Sequence, residues 1–157
     1  MAGHKIELER TVRAPIERVW SVLTDVAHAD QTLRGVTRIE LTTDGPYGVG
    51  TQWRETRRMF GRETTEQLRV TVADEPTRTV IEADSAGVHY VTEFTLAPHT
   101  ENATRLMMRF TAVQAKANPV QQVLWTLFGR IGAKATEKVM RQDLRDIAVR
   151  AELRTQL

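Results

Sequence analysis

The change from strand to helix that decides the fold lies in Val12-Arg-Ala-Pro-Ile-Glu-Arg-Val-Trp-Ser-Val-Leu-Thr-Asp25. Just before it, residues 5–12 alternate apolar and polar side chains, which is the pattern of a half-buried strand. Pro15 cannot donate a hydrogen bond to a sheet, but it suits the first turn of a helix. Apolar residues then recur with the spacing of one helix face, at Ile16, Val19, Trp20 and Leu23. The stretch therefore predicts a strand followed by a short amphipathic helix.

The rest of the chain predicts a second short helix, six more strands and a long last helix. Residues 27–34 form a helical turn or a short helix that ends at Gly35. Alternation between turn residues predicts strands at residues 36–43, 51–58, 62–73, 78–84, 88–96 and 104–113. The breaks between these strands are short, so neighbouring strands should be antiparallel. This order of elements is typical of an α+β protein.

The last helical segment, which extends from Pro119 to about Glu152, changes its apolar face halfway. Its first half carries a stripe of apolar residues within residues 120–131, and its second half carries Met140, Leu144 and Ile147 on the opposite side. A straight helix cannot bury both faces against one sheet. We therefore expect a break or strong bend at residues 129–132, where two glycines weaken the helix. The alternative is that the 120–131 stripe is buried elsewhere, in a homodimer or against a membrane.

Length and composition predict one soluble globular domain, residues 1–157. Of the 157 residues, 41% are hydrophobic and 27% are charged, with a formal net charge of +2. No apolar run reaches the roughly 18 residues of a membrane span, and the first residues lack the apolar core of a signal peptide. The chain has no cysteine. We therefore expect a cytoplasmic protein with no stable membrane insertion, disulfide or thiolate metal site.

Several classes of chemistry lack their sequence motifs. None of the four histidines has the spacing of a metal ligand, and neither serine lies in a nucleophile-elbow motif. The glycine-rich segment 45–50 precedes a strand rather than a helix, so it predicts a turn and not a phosphate-binding loop. The arginine-rich segment 54–62 is interleaved with Glu55, Glu63 and Glu66, and it predicts a solvated sheet face rather than a nucleic-acid surface. We expect no metal, no cofactor and no nucleic acid.

With these elements the chain resembles the helix-grip (START and Bet v 1-like, SRPBCC) superfamily, in particular its polyketide cyclase/dehydrase-like branch. The resemblance is carried by residues 12–25, by Gly48-Val-Gly-Thr-Gln-Trp53 and by a final helix ending in Asp143-Leu-Arg-Asp-Ile-Ala-Val-Arg-Ala-Glu152. It covers about residues 4–152. It implies a seven-stranded, curved antiparallel sheet that wraps, with two short helices, around the long C-terminal helix. It also implies a hydrophobic pocket for lipids, sterols, polyketides or similar molecules.

Strand alternation predicts which side chains face such a pocket. Trp53 and Met59 indicate that their face of the strand points inward, so Glu55 and Arg57 would line the cavity. These two side chains could pair with each other, hold the polar end of a ligand, or transfer protons. Tyr90 either offers its hydroxyl group to the pocket or is satisfied by the backbone. The predicted ligand-binding residues are Trp53, Glu55, Arg57, Tyr90, Thr92, Met108, Phe110 and Met140.

Three functions follow as hypotheses from this pocket and from the apolar stripe. The first is a binding module that encloses a largely apolar small molecule, oriented by Glu55, Arg57 and Tyr90. The second is a cyclase/dehydrase-type enzyme, in which the cavity folds a poly-ketone and Glu55 or Tyr90 moves protons. The third is an interaction protein that acts through residues 120–131, for example as a homodimer.

Overall fold

A computed structural model of the chain describes residues 3–59, 61–114 and 132–153. The strands are β1 (Gly3–Val12), β2 (Val36–Leu41), β3 (Gln52–Met59), β4 (Arg62–Asp74), β5 (Arg78–Ser85), β6 (Val88–Thr100) and β7 (Ala103–Gln114). The helices are α1 (Ile16–Leu23), α2 (Ala29–Thr32) and α3 (Ala133–Leu153), and a 3-10 turn (Val26–His28) precedes α2. The predicted strand–helix change at Pro15 and the predicted set of strands are confirmed.

The seven strands form a single antiparallel sheet in the order β1-β7-β6-β5-β4-β3-β2. Strands β2 to β7 pair with their neighbours along the chain. Strand β1 instead pairs with β7 over its whole length, from Gly3 opposite Val113 to Val12 opposite Thr104. The first and last strands are thereby neighbours in one sheet, and β1 and β2 are its edges.

One strand is longer than its sequence predicts. A break was expected at residues 98–102, but β6 continues through Pro98 to Thr100 and pairs with β7. The proline is tolerated because β5 reaches only to Arg78, opposite Thr95, so β6 has no strand on that side at Pro98. A register shift between Pro98 and Thr100 accommodates the missing donor.

The core forms where α1 and α3 pack on the concave face of the sheet. Helix α1 buries Val19, Trp20 and Val22. Helix α3 buries the face predicted from its spacing, which comprises Met140, Leu144, Ile147, Ala148 and Ala151. Together with residues of β1, β6 and β7 these side chains form the main hydrophobic cluster. Within the described ranges no helix is long and apolar enough to cross a membrane.

The predicted helix break lies almost entirely outside the described residues. Residues 115–131, which include the apolar stripe at 120–131, lie outside the described residues, and so does most of the proposed break at 129–132. The described helix begins at Ala133.

The glycine-rich segment between β2 and β3 forms the turn that its sequence predicts. Gly45 and Gly50 have φ angles of 93° and 95°, which L side chains rarely adopt. Tyr47 anchors this turn, because its ring meets the ring of Trp20 edge-on at 6.3 Å and its hydroxyl group bonds to that of Thr79. The turn is therefore fixed against α1 and the sheet.

Candidate ligand-binding site

The sheet and its covering helices leave a cavity of about 390 Å³ between them. Strands β3 to β7 form one wall, and α1, the 3-10 turn, α2 and α3 form the other. Most of the described lining residues are apolar, among them Val22, Leu68, Ile81 and Phe94. The cavity exists because the sheet curves away from α3 farther than the intervening side chains can fill.

All eight predicted ligand-binding residues lie in the wall of this cavity. They are Trp53, Glu55, Arg57, Tyr90, Thr92, Met108, Phe110 and Met140. Alternation brings the first three together because residues two apart on a strand share a face. The rings of Tyr90 and Phe110, on adjacent strands, stack with their centres 5.7 Å apart. That these residues contact a ligand stays a prediction.

Arg57 forms the centre of the polar end of the cavity. Its Nε donates to Glu55 Oε2 at 2.7 Å, and its Nη1 and Nη2 donate to Asp143 Oδ1 and Oδ2 at 3.1 and 2.9 Å. The three side chains are only 18%, 13% and 10% exposed. Burial alone would lower the pKa of Arg57, but the charges of Asp143 and Glu55 outweigh burial and raise it. The guanidinium therefore stays protonated.

Asp143 is a partner of Arg57 that the sequence analysis did not single out. It lies on α3, 86 positions from Arg57 along the chain, and it is buried on the same face as Met140 and Leu144. Asp146, one turn further, is also buried and accepts a hydrogen bond from the backbone N–H of Arg34 at 2.9 Å. Aspartates on the apolar face of an amphipathic helix were the available signal, because a buried carboxylate requires a partner.

Glu66 is the second residue missed. The sequence analysis named it only as an acidic residue near the arginine-rich segment, and in the structure it is half-buried and lines the cavity. It lies directly opposite Glu55 in the pairing of β3 with β4. Burial raises the pKa of Glu66, and the charge of Glu55 raises it further, against a smaller opposing effect of Arg57.

The sequence contained a signal for Glu66 as well. Met59 pairs with Arg62, so two residues separate the strands. Pairing then continues outward from Met59 and Arg62, one residue at a time on each strand. Four positions further along, Glu55 lies opposite Glu66. An inward Glu55 therefore implies an inward Glu66.

Glu66 and Tyr90 are two polar side chains of the cavity wall that remain uncommitted, and the buried Nε1 of Trp53 also lacks a partner among the described residues. Neither the carboxylate of Glu66 nor the hydroxyl group of Tyr90 has a hydrogen-bond partner among the described residues. Burial raises the pKa of Tyr90, and the negative charge of Glu66 adds to this effect. At neutral pH the phenol is therefore protonated and can donate a hydrogen bond into the cavity.

Known proteins resemble the chain in family and in fold. The family model described as "Polyketide cyclase / dehydrase and lipid transport" matches residues 3–152. No curated protein sequence matches the chain. The Zhui aromatase/cyclase from Streptomyces sp. R1128 superposes with a TM-score of 0.82 at 19% identity, covering 98% of this chain and 96% of that one.

Two further solved structures share the fold. A START superfamily protein from Mycobacterium smegmatis has a TM-score of 0.76 at 14% identity, and covers 96% of this chain and 98% of its own. Norcoclaurine synthase from Thalictrum flavum has a TM-score of 0.69 at 15% identity, covering 94% and 85%. These likenesses confirm the predicted helix-grip fold. By its family model, which matches residues 3–152, the chain belongs to the polyketide cyclase/dehydrase and lipid transport family.

Proposed function

We propose that this protein binds one largely apolar small molecule in the cavity between its sheet and α3. The observation that carries the proposal is the cavity itself, about 390 Å³ with mostly apolar walls and one polar end. Pockets for small organic ligands commonly measure about 300–1,000 Å³ and combine apolar walls with a few orienting polar groups. Membership of a family described by lipid transport and polyketide chemistry supports the same conclusion.

The proposal divides the work between two sets of residues. Trp53, Met108, Phe110 and Met140 supply apolar surface, and each Å² removed from water contributes roughly 25 cal/mol. Tyr90, with its free hydroxyl group, and Thr92 orient the polar end of the ligand. Glu55 and Arg57 contribute less directly than the sequence suggested, since their charges already bond to each other and to Asp143.

Titration with N-phenyl-1-naphthylamine, a neutral apolar fluorophore, tests this proposal. We expect a saturable rise in fluorescence with one molecule bound per chain. Ala83 lines the cavity and is 1% exposed, so Ala83→Leu should occupy ligand space and weaken binding roughly tenfold or more. Ala97 on β6 is exposed, so Ala97→Leu makes the same change outside and should leave binding unaltered.

The outcomes separate a cavity site from surface binding. Absence of saturable binding by the unaltered protein would overturn the proposal, and so would equal weakening by the two variants. Circular dichroism of both variants establishes that they are folded before their affinities are compared.

A second candidate function is cyclisation of a poly-ketone, and the presence of Glu66 and Tyr90 in the same cavity wall, close enough for the charge of one to act on the other, favours it. In an aldol-type ring closure, a carboxylate takes a proton from the carbon between two carbonyl groups. That carbon then bonds to a distant carbonyl carbon as the C=O π bond opens, and the resulting alkoxide oxygen receives the proton that the carboxylic acid now holds. Glu66, with its raised pKa, suits the base, and the Tyr90 phenol suits the hydrogen-bond donor to the carbonyl oxygen. The protons balance without a cofactor.

Mass spectrometry of a linear tetraketide thioester incubated with the protein tests this second function. Loss of the cyclised product in Glu66→Gln and Tyr90→Phe, with full activity in Glu63→Gln, would support it. A rate equal to that in buffer would leave binding as the function of the cavity and remove the enzymatic one.

A further inference from the structure

We propose that the cavity selects its ligand by charge, preferring an amphiphile whose polar end is a protonated amine and discriminating against one that ends in a carboxylate or phosphate. This inference rests on the proposed binding function, because it concerns the same cavity. It names the chemical class of the ligand, which neither the family nor the apolar walls determine.

The first observation is the balance of charges around the cavity. Four of the described lining residues carry a carboxyl group, and one carries a cation. Asp25 lies beside α1 and its carboxylate contacts the ring of His28 at 2.9 Å. The other three carboxylates, those of Glu55, Glu66 and Asp143, share the polar end with Arg57. An anionic ligand would therefore face more negative than positive charge.

The second observation is that two carboxylates already offset the charge of Arg57. All three guanidinium nitrogen atoms donate to the carboxylates of Glu55 and Asp143, at 2.7 to 3.1 Å. A ligand carboxylate at Arg57 would lie beside Glu55 and Asp143, whose negative charges already offset that of the guanidinium and would repel it. Arg57 thus neutralises the wall of the cavity and does not form an anion site.

The third observation is the uncompensated Glu66. Its carboxylate is half-buried and has no ion-pair partner within the described ranges, and Glu55 lies opposite it in the sheet. Directly opposite residues have Cβ atoms roughly 5 Å apart, so their negative charges repel. A cation bound in the cavity beside Glu66 would reduce this repulsion. It would also replace the interactions with water that the carboxylate lost on burial.

The aromatic side chains near Glu66 also suit a cation. The stacked rings of Tyr90 and Phe110 line the same cavity, and the charge of Glu66 acts on Tyr90. Aromatic faces attract ammonium groups through their quadrupoles and offer nothing comparable to an anion. A metal ion is a weaker match, since no cluster of three or more potential metal ligands occurs in the part of the chain that the structure describes.

A matched series of ligands tests the inference. Decylamine, decan-1-ol and decanoate share an apolar chain and differ in their polar end, and each can displace N-phenyl-1-naphthylamine at neutral pH and constant ionic strength. We expect decylamine to bind at least roughly tenfold more tightly than the alcohol, and decanoate at least roughly tenfold more weakly. Equal affinities, or a preference for decanoate, would overturn the inference while leaving the proposed function intact. Failure of the fluorophore and all three ligands to bind would overturn both.

A pair of variants assigns the selectivity to Glu66. In Glu66→Gln we expect the ratio of amine to alcohol affinity to fall at least fivefold or so, because one charge is lost from a partly desolvated site. Glu63→Gln removes the same charge from an exposed position three residues away on β4, and it should keep the ratio. An equal fall in both variants, or no fall in Glu66→Gln, would contradict the assignment.

The unaltered protein provides a second readout that needs no variant. As pH rises and Glu66 loses its proton, the ratio of amine to alcohol affinity should increase. The groups around Glu66 are Glu55 and Arg57 on β3, Tyr90 on β6 and Asp143 on α3. A ratio that is constant from about pH 4 to pH 8 would contradict a role for Glu66 in selecting the cation.

Discussion

Arg57 is the residue on which the polar end of the cavity depends. Its guanidinium joins a neighbour on its own strand to a carboxylate on α3, and all three side chains are largely withdrawn from water. Such a buried cluster is not a large net source of stability, since desolvation offsets most of the attraction. Breaking it is costly, however, because the remaining charges keep the desolvation cost and lose their partner.

We therefore expect Arg57→Met to lower the free energy of unfolding by about 3–5 kcal/mol. The variant leaves the carboxylates of Glu55 and Asp143 buried together without a cation. Urea unfolding followed by circular dichroism measures the loss. Arg58→Met is the matched control, since Arg58 is exposed on the other face of β3 and its removal should change stability by less than about 0.5 kcal/mol. Similar losses in the two variants would show that the cluster is not buried as described.

Glu66 makes stability depend on pH in the direction opposite to a paired carboxylate. Its pKa is raised from the ordinary value of 4.5 by burial and by Glu55, so the folded protein holds the proton to higher pH than the unfolded chain. This contribution to stability is complete below pH 4.5 and is lost as the pH rises through the folded pKa. Glu66→Gln prevents this loss of stability at higher pH, because glutamine stays neutral.

We expect Glu66→Gln to raise the melting temperature near pH 7 and to have little effect near pH 4. A rise of roughly 2–4 °C would correspond to about 1 kcal/mol for a chain of this length. Thermal unfolding of both proteins at the two pH values measures the difference, with Glu63→Gln as the exposed control. A stabilisation that is the same at both pH values would refute the assigned cause.

Among the elements, the β5–β6 hairpin contains a residue, Ala86, that does not suit its backbone conformation. Its two connecting residues, Ala86 and Gly87, both have positive φ angles, 52° and 79°. This is the geometry of a type I′ turn, which matches the twist of the strands and favours Asn-Gly. Alanine in this region clashes with its own backbone, at a cost of roughly 1–2 kcal/mol.

Ala86→Asn should therefore stabilise the hairpin and the protein by about 0.5–1 kcal/mol, measured as an increase in the free energy of unfolding in urea. Ala86→Val should destabilise it, because a β-branched side chain tolerates positive φ least. If asparagine lowers stability, or if valine is harmless, the connection does not adopt the type I′ conformation in solution.

Helix α3 shows what an element contributes to the site beyond its packing. Its buried face follows the predicted spacing. On that face Asp143 accepts hydrogen bonds from Arg57, and Asp146 accepts one from the backbone N–H of Arg34. The helix thus joins two distant segments by charge as well as by apolar contact. Its sequence predicted the apolar contact; the partners of the aspartates depend on which strands face the helix.

For the molecule as a whole, the cavity couples function to stability. Strands β3 to β7 and all the described helices contribute to its wall, so a ligand completes packing that the chain alone leaves open. A ligand that binds only the folded state stabilises it through mass action. The size of that stabilisation reports whether the ligand is enclosed.

At a free concentration of about 100 times its dissociation constant, N-phenyl-1-naphthylamine should raise the free energy of unfolding by about 2.7 kcal/mol. For a chain of this length this corresponds to an increase in melting temperature of roughly 5–11 °C, measured by circular dichroism. Ala83→Leu, which weakens binding roughly tenfold or more, should lower this increase to about 1.4 kcal/mol or less at the same concentration. A much smaller increase in the unaltered protein would mean that the probe also binds the unfolded chain.

Patterns in the amino-acid sequence were sufficient to predict the elements, their order and which strand faces point inward. These properties are local: alternation, helical spacing and turn residues act over a few positions, and so Trp53, Glu55 and Arg57 could be assigned to one wall without any structure. The resemblance of residues 12–25 and of the last helix to the helix-grip superfamily then predicted how these elements are arranged in the fold. The pairing of Glu55 with Glu66 was also within reach, through the two-residue connection between their strands.

The role of the inward-facing charges depends on the three-dimensional packing of the chain. Arg57 meets Asp143 across 86 positions, because its long side chain reaches from the inner face of β3 to α3. No local pattern specifies such a contact, since it depends on how far the sheet curves and where the helix lies on it. The same curvature leaves the cavity open, and so the balance of charge inside it, on which the choice of ligand rests, follows from the packing of the whole chain.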